Sequence, residues 1–117
     1  MGKGPEAAFQ SQVVQLAHTL GWLVQHTRPA KQGDRWITPI QGDAGFPDLV
    51  LAHPLRGVIF AELKSATGLV SDAQHVWARA LRDAGAEWRL WRPKDMHDIQ
   101  RRLGRSLHDY SRTTARP

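Results

Sequence analysis

The sequence of 117 residues contains no cysteine. This absence excludes disulfide frameworks, cysteine-ligated zinc sites, thiol redox centres and cysteine nucleophiles. The glycine patterns GxxxxGK(S/T) and GxGxxG are also absent, so we expect no nucleotide cofactor. No apolar run approaches the ~18 residues that cross a bilayer, and the opening residues MGKGPEAAFQ lack the apolar core of a signal peptide. We therefore expect a soluble cytoplasmic protein without a membrane partner.

Basic residues are concentrated towards the end of the sequence. The formal net charge is +5, and residues 101–117 hold five arginines against one aspartate, so the preceding part is nearly neutral. We divide the sequence into one globular domain over residues 1–103 and a basic tail over 104–117. A basic tail on a balanced body favours a polyanionic partner, most often nucleic acid, which makes Arg105 and Arg112 candidate contacts. The alternative is a solvated tail without a partner.

Apolar periodicity and chain breakers predict an α/β fold with the element order α-β-β-β-α-β-α. In this fold the central sheet is mixed and helices flank it. The two central strands are apolar at nearly every position, which predicts burial on both of their faces. The predicted elements are a helix from Pro5 ending before Gly21, a strand at 22–26, a long loop at 27–46, strands at 47–53 and 58–64 around a turn at 54–57, a helix at 72–84 that buries Val76, Ala80 and Leu81, a strand at 87–91, and a helix from Pro93 to about Leu103.

The predicted hairpin brings charged residues together in an apolar setting. With a turn at 54–57, Asp48 and Glu62 face each other to within one residue, and Lys64 shares their face because side chains alternate along a strand. Two unit charges ~5 Å apart repel by about 3 kcal/mol at an effective dielectric of 20. A divalent cation would remove this repulsion, and oxygen ligands that include the Leu63 carbonyl suit Mg²⁺. The alternative is an aspartate that begins a strand and a surface Glu–Lys pair that ends one.

Three short motifs in a fixed order resemble a known family. They are Gly45-Phe46-Pro47-Asp48, Glu62-Leu63-Lys64 and Ser71-Asp72-Ala73-Gln74. Together with the predicted element order they resemble the PD-(D/E)xK nuclease superfamily, and within it the small VRR-NUC domains of phages and bacteria. The resemblance covers roughly residues 5 to 92. It implies a restriction-endonuclease-like α-β-β-β-α-β core and a DNA endonuclease that uses Mg²⁺ or Mn²⁺.

The resemblance also implies site residues and an assembly. The positions that match the family's site are Asp48 and Glu62 as metal ligands, the Leu63 carbonyl as a further ligand, Lys64 as the catalytic lysine, and Gln74 and Glu6 as residues beside the metal. For Glu6 and Gln74 the alternative is an ordinary first-turn residue of a helix. Small stand-alone members of the group act as homodimers on branched DNA such as Holliday junctions, so we expect the same here. The edge of the fourth predicted strand and the last helix, with Met96, Ile99 and Leu103, offer apolar groups for a second copy; the alternative is that these three residues only cover the sheet of a monomer.

The loop at 27–46 supplies further candidate contacts with nucleic acid. An aromatic side chain among cations can stack on an unpaired base, and the candidates are Arg28, Lys31, Arg35 and Trp36. The alternative is that the tryptophan anchors the loop on the domain. Two other functions stay open at this point, a non-catalytic nucleic-acid-binding module and an RNA-processing nuclease, because no residue separates DNA from RNA.

Overall fold

The computed structural model describes residues 5–27, 30–32, 35–37 and 41–104. The elements in these ranges are α1 (Pro5–Thr19), β1 (Leu23–His26), β2 (Ala30–Gln32), β3 (Arg35–Ile37), β4 (Leu49–His53), β5 (Gly57–Leu63), α2 (Asp72–Asp83), β6 (Glu87–Trp91), a 3₁₀ turn (Pro93–Asp95) and α3 (Met96–Leu103). Within these ranges no helix has both the length and the apolar character needed to cross a membrane.

Four of the strands form a mixed sheet in the order β1-β4-β5-β6. The pairs β1–β4 and β4–β5 are antiparallel, whereas β5 and β6 are parallel. Parallel neighbours need a crossover connection, and α2 provides it here. The predicted α/β class, with a mixed sheet and flanking helices, is confirmed.

The hydrophobic core lies on one face of this sheet. Buried apolar residues of β4 and β5 pack here against apolar residues of α1 and α3. The strand residues are Leu49, Leu51, Ile59, Ala61 and Leu63, and the helix residues are Phe9, Val13 and Ala17 from α1 and Ile99 and Leu103 from α3. The opposite face is covered mainly beside β6, where α2 packs and the Arg82 guanidinium lies 4.5 Å from the Trp88 ring centre. Val58 on that face is 49% exposed. The prediction of burial on both faces is therefore correct for the core face and correct only in part for the other face, where Glu62 is buried and Val50 and Phe60 are half-buried.

The inward face of α2 also differs from the prediction. Val76 and Ala80 are exposed, and Ala78 is the buried residue of this helix. The physical reason is that α2 lies over β6 rather than centrally over the β4–β5 hairpin, so the helix turns a different set of residues towards the sheet.

The β4–β5 hairpin has the register that positions the charged residues. Leu49 pairs with Ala61 and His53 pairs with Gly57. The turn is therefore one residue shorter than predicted, because Gly57 already belongs to β5. One further step along the same register places Asp48 directly opposite Glu62. This arrangement agrees with the sequence prediction.

The segment at 27–46 contains a second, two-stranded sheet that the sequence did not indicate. Ala30 pairs with Ile37 and Gln32 pairs with Arg35, so β2 and β3 form an antiparallel hairpin. The prediction of a long loop is wrong for these residues, because strands of three residues are too short to show an alternation. Arg28 and the side chains of Lys31, Arg35 and Trp36 lie outside the described part of the structure, so their contacts with nucleic acid stay predictions.

The last helix covers the protein's own core. Ile99 and Leu103 are fully buried in the core cluster, and Met96 packs against it. The prediction that these three residues offer a surface to a second copy is therefore wrong. An eight-residue amphipathic helix presents the same apolar stripe whether it packs on its own sheet or on a partner, and the sequence pattern does not distinguish the two.

Two arginines that we assigned to the basic end of the sequence have carboxylate partners in the domain. Arg102 is 6% exposed and donates to both oxygens of Glu87 at 2.8 Å, and Arg101 pairs with Asp98. The other arginines of this end, including Arg105 and Arg112, lie outside the described residues. The charge available to a polyanion from this end of the protein is thus smaller than its composition indicates.

Candidate active site

Asp48 and Glu62 form the centre of the site. Asp48 directly precedes β4, and its Oδ2 accepts a hydrogen bond of 2.8 Å from the Leu63 N–H. Glu62 lies near the end of β5 and is 1% exposed, whereas Asp48 is half-buried. The sheet therefore holds two carboxylates against each other at the end of an otherwise apolar hairpin.

This environment changes the protonation of Glu62. Burial raises the pKa of Glu62 to about 8, and the neighbouring Asp48 adds to the effect, while the Lys64 ammonium opposes it. Lys64 Nζ lies 3.7 Å from Glu62 Oε2, and the lysine side chain is largely buried. The other oxygen, Glu62 Oε1, is buried and accepts no hydrogen bond from the described residues, although a hydrogen bond between the Glu62 and Asp48 carboxyl groups contributes to the raised pKa. A buried carboxylate oxygen without a donor indicates a place where a ligand completes the structure.

Gln74 links Glu62 to the beginning of α2. Ser71 is the N-cap of this helix, and its Oγ accepts from the Gln74 N–H at 3.2 Å. In return Gln74 Oε1 accepts from the Ser71 N–H at 2.9 Å, which completes a capping box. Because the amide oxygen is held there, the amide nitrogen points away from the cap, and it donates to Glu62 Oε2 at 2.7 Å. The cap therefore fixes which way the amide faces.

The segment that carries Asp48 is fixed against the same helix. Gly45 has a φ of 98°, and a Cβ atom at this position would lie 2.4 Å from the backbone of Ala73. Only glycine combines this backbone angle with so close an approach. Trp77 Nε1 also donates to the Asp43 carbonyl at 3.3 Å. The motif that suggested a nuclease thus has a structural reason for its glycine, which our sequence reasoning quoted but did not explain.

Arg92 holds the loop that follows Lys64, and our sequence reasoning missed it. Its guanidinium donates to the carbonyls of Ser65 and Gly68 at 2.7 and 2.8 Å. The loop is further closed by the Gly68 N–H, which donates to Ser65 Oγ at 3.0 Å. A local sequence pattern does not predict such a contact, because an arginine that donates to main-chain carbonyls requires no particular residue type at a fixed spacing.

The remaining predicted residues do not join this cluster. Glu6 is exposed in the first turn of α1. Among the described residues no group of three or more His, Cys, Asp or Glu side chains is placed to hold a metal ion, so Glu6 does not complete the Asp48–Glu62 pair. Leu63 is fully buried at the end of β5, and its proposed part as a carbonyl ligand stays a prediction.

The donor set fits a hard divalent cation. The two facing carboxyl groups supply the oxygen lone pairs that such an ion requires, and the ion would gain the second negative charge by displacing the proton that the raised pKa of Glu62 retains near neutral pH. Mg²⁺ usually keeps several waters and binds one or two protein carboxylates, so a pair without a third acidic side chain is sufficient for it. The atoms that the two side chains offer to an ion are oxygens, the ligands that hard divalent cations prefer.

Comparisons with known proteins bear on the fold. No protein-family model matches the chain, and neither does any curated protein. A solved structure described as a "VRR_NUC domain" matches it with a TM-score of 0.52 and 25% sequence identity, over 73% of this chain and 81% of that one. The match confirms the predicted resemblance and the predicted fold class. The chain therefore has a VRR-NUC nuclease-like fold.

Proposed function

We propose that this protein is a Mg²⁺-dependent DNA endonuclease that hydrolyses phosphodiester bonds, with branched DNA as its preferred substrate. The observation that carries the proposal is the buried, facing pair of Asp48 and Glu62 with its unpartnered oxygen. A nuclease-like fold supports it, and so does the ammonium of Lys64 beside the pair.

Each residue of the cluster has a distinct part in this proposal. Asp48 and Glu62 would hold the cation with the Leu63 carbonyl, and Mn²⁺ would substitute for Mg²⁺. The bound cation would neutralise phosphate charge and make a water molecule more acidic. Lys64 lies close enough to the pair to stabilise negative charge that develops on the phosphate. Gln74 keeps Glu62 Oε2 occupied, so that Oε1 is the oxygen left for the cation.

The proposal is tested by separating the carboxylate pair from another carboxylate on the same segment. Asp48→Asn should abolish Mg²⁺-dependent cleavage of DNA and reduce Mg²⁺ or Mn²⁺ binding in calorimetry. Asp43→Asn is the matched control, because Asp43 is exposed and uses only its main-chain carbonyl in the structure. Cleavage by Asp48→Asn at the wild-type rate under saturating Mg²⁺ would show that the site is wrongly placed.

The same assays decide between the proposal and its alternatives. A wild-type protein that binds DNA but neither binds Mg²⁺ nor cleaves would be a non-catalytic binding module. Matched RNA and DNA substrates, compared at equal salt, would identify an RNA-processing enzyme by faster cleavage of the RNA. Lys64→Ala should lose activity while it retains metal binding, since the lysine is not a ligand in this proposal.

Branched DNA and a homodimer belong together in this proposal. One site cuts one strand, and symmetric resolution of a four-way junction needs two cuts, which a two-fold dimer provides. The dimer would have to use a surface other than the apolar stripe of α3, because that stripe is buried. Size-exclusion chromatography coupled to light scattering should give a particle mass of twice that of one chain, which is 13.2 kDa. A monomer that cuts linear duplex as fast as a junction would contradict this part.

Basic residues outside the site would bind the phosphate backbone. The proposed phosphate contacts are Arg105 and Arg112 near the end of the sequence and Arg28, Lys31 and Arg35 around the small hairpin, where Trp36 would stack on an unpaired base. Each phosphate contact contributes ~0.9 to the slope of log affinity against log salt for duplex DNA. Deletion of residues 104–117 should therefore flatten this slope, and an unchanged slope would show that the tail makes no contact.

A further inference from the structure

Phe46 is an exposed aromatic residue on the segment that carries Asp48. Its side chain is 42% exposed, although the proline that follows it is fully buried. Two residues of chain span at most ~7 Å, so the backbone that carries the ring lies near Asp48 and near a phosphate on a cation bound there. Neither the proposed metal site nor the core of the sheet uses this ring.

The structure holds the ring in a defined position. The Phe46 ring is nearly perpendicular to that of Trp77, with centres 5.0 Å apart, and to that of Phe60, with centres 6.1 Å apart. Gly45 fixes the backbone just before it against α2. A ring that is constrained on its inner side and open on its outer side loses little conformational entropy when a ligand covers it.

The position of Phe60 places the ring on the same side of the sheet as the carboxylates. Phe60 pairs with Val50 in the β4–β5 register, and Glu62 is two residues further along β5. Side chains two residues apart point to the same face, so Phe46, which contacts Phe60, lies on the face that carries Glu62. The ring and the carboxylate pair are therefore open to the same ligand on this face.

We propose that Phe46 stacks on an unpaired base within one or two nucleotides of the phosphate at the Asp48–Glu62 pair, and so selects substrates that contain an unpaired nucleotide there. This inference rests on the proposed nuclease function and specifies its substrate. Successive stacked bases are ~3.4 Å apart along a strand, so a ring whose Cα lies within ~7 Å of the Asp48 Cα can reach this range. Inside a duplex both faces of each base are covered by neighbours, whereas a base at a junction, a flap or a bulge has a face free for stacking.

The test compares substrates that differ by one base. A DNA duplex with one unpaired nucleotide is prepared in two forms, one with a normal base at the unpaired position and one with an abasic residue there. In both forms the unpaired position is then moved stepwise across the mapped cleavage position. Wild-type protein should cleave the substrate with the base faster, by on the order of tenfold, at one or two of these positions. Equal cleavage of base-containing and abasic substrates at every position would overturn the inference.

Three variants make the result specific to the ring. Phe46→Leu keeps an apolar side chain against Trp77 and should lose the preference for the base, whereas Phe46→Trp should keep it. Leu55→Ala removes an exposed apolar side chain at the opposite end of the hairpin and should leave the preference unchanged. If Phe46→Leu retains the full preference for the base-containing substrate, the Phe46 ring does not stack on the unpaired base. Should Phe46→Leu fail to fold, loss of the preference in Phe46→Trp would contradict the proposal in the same way.

A binding measurement keeps this inference distinct from the nuclease proposal. 2-Aminopurine at the unpaired position loses fluorescence when it stacks, and the quenching does not depend on cleavage. Protein that quenches the probe through Phe46 but cuts nothing would contradict the nuclease function while supporting the stacking contact. Protein that cuts DNA but gives the same fluorescence with Phe46→Leu would contradict the stacking contact alone.

Discussion

The side-chain amide of Gln74 donates to Glu62 Oε2 at 2.7 Å while its oxygen accepts from the N-cap of α2. One side chain thus joins the beginning of a helix to a buried carboxylate. A glutamate at this position would complete a capping box equally well, but once a bound cation has displaced the Glu62 proton, an ionised glutamate has no proton to donate to Glu62. The structure therefore distinguishes the two acceptable capping residues by their second contact.

Substitution of Gln74 can separate its capping contact with Ser71 from its hydrogen bond to Glu62. Gln74→Glu should preserve the capping interaction with Ser71 yet lower cleavage or Mg²⁺ affinity by about 10- to 100-fold, the usual cost when a residue that orients a metal ligand is lost. Gln74→Ala should lose activity to a similar degree and lose helix stability as well. Cleavage rates and Mg²⁺ titrations of both variants provide the measurement. Wild-type activity in Gln74→Glu would mean that the residue serves only as a cap.

The raised pKa of Glu62 predicts how stability depends on pH in metal-free protein. Folded Glu62 keeps its proton up to about pH 8, whereas an unfolded glutamate releases it near 4.5. Between these values the folded state binds more protons, so the free energy of unfolding should fall as pH rises through this interval. The expected loss is on the order of a few kcal/mol. Urea unfolding in the presence of a chelator measures it.

Two additions sharpen the pH experiment. Glu62→Gln carries no titrating group and should remove this part of the pH dependence. Saturating Mg²⁺ should restore stability above neutral pH in the wild-type protein, because a bound cation favours the ionised carboxylate. A wild-type unfolding free energy that rises steadily across the same interval would contradict the raised pKa.

Gly45 should be intolerant of a side chain for two separate reasons. Its φ is 98°, and a Cβ atom would lie 2.4 Å from the Ala73 backbone. Gly85 shares a positive φ of 86° but has nothing within 4 Å of such an atom. Gly45→Ala should therefore destabilise the fold by about 2 kcal/mol or more and reduce cleavage by displacing Asp48, whereas Gly85→Ala should cost only the backbone strain of about 1 kcal/mol. Thermal unfolding of both variants makes the comparison, and equal costs would show that the contact with α2 is unimportant.

Arg102 is expected to be structural and its neighbour Arg101 dispensable. Burial alone would raise the pKa of Glu87, but its hydrogen bonds with Arg102 and the charges of Arg102 and Arg89 hold that pKa below its ordinary value. Arg102→Leu should cost about 3–5 kcal/mol, because it removes the main partner of a half-buried carboxylate. Arg101→Ala removes an exposed pair and should change stability by less than about 0.5 kcal/mol. Urea unfolding distinguishes them, and equal losses would contradict this assignment.

The features that local sequence patterns predicted well are those set by neighbouring residues. The β4–β5 hairpin, its register and the Ser71 cap all follow from turn residues, alternation and a capping signature within a short stretch. The facing of Asp48 and Glu62 could therefore be worked out before the structure was known.

The features that escaped prediction depend on residues far apart in the chain. Two such contacts are the ion pair of Arg102 with Glu87 and the hydrogen bond from Arg92 to the Ser65 carbonyl, and neither can be predicted without the tertiary structure. The small hairpin of β2 and β3 escaped because its strands are shorter than one useful period of alternation. The packing partner of the apolar face of α3 was not predicted, because amphipathicity identifies which face of a helix is buried but not what it packs against.

The end of α3 is fastened beside the turn of the β4–β5 hairpin. The Leu103 carbonyl accepts from Trp22 Nε1 at 2.9 Å and from the Arg56 guanidinium at 3.2 Å. Asp48 and Glu62 lie at the other end of this hairpin, five residues and therefore ~17 Å away. The 13 residues that follow Gly104 in the sequence start from the end of the molecule that is remote from the chemistry, and at full extension they reach ~45 Å. In the proposed function, the segment that carries the terminal arginines would thus be attached at one end of the β4–β5 hairpin and the metal site would lie at the other end.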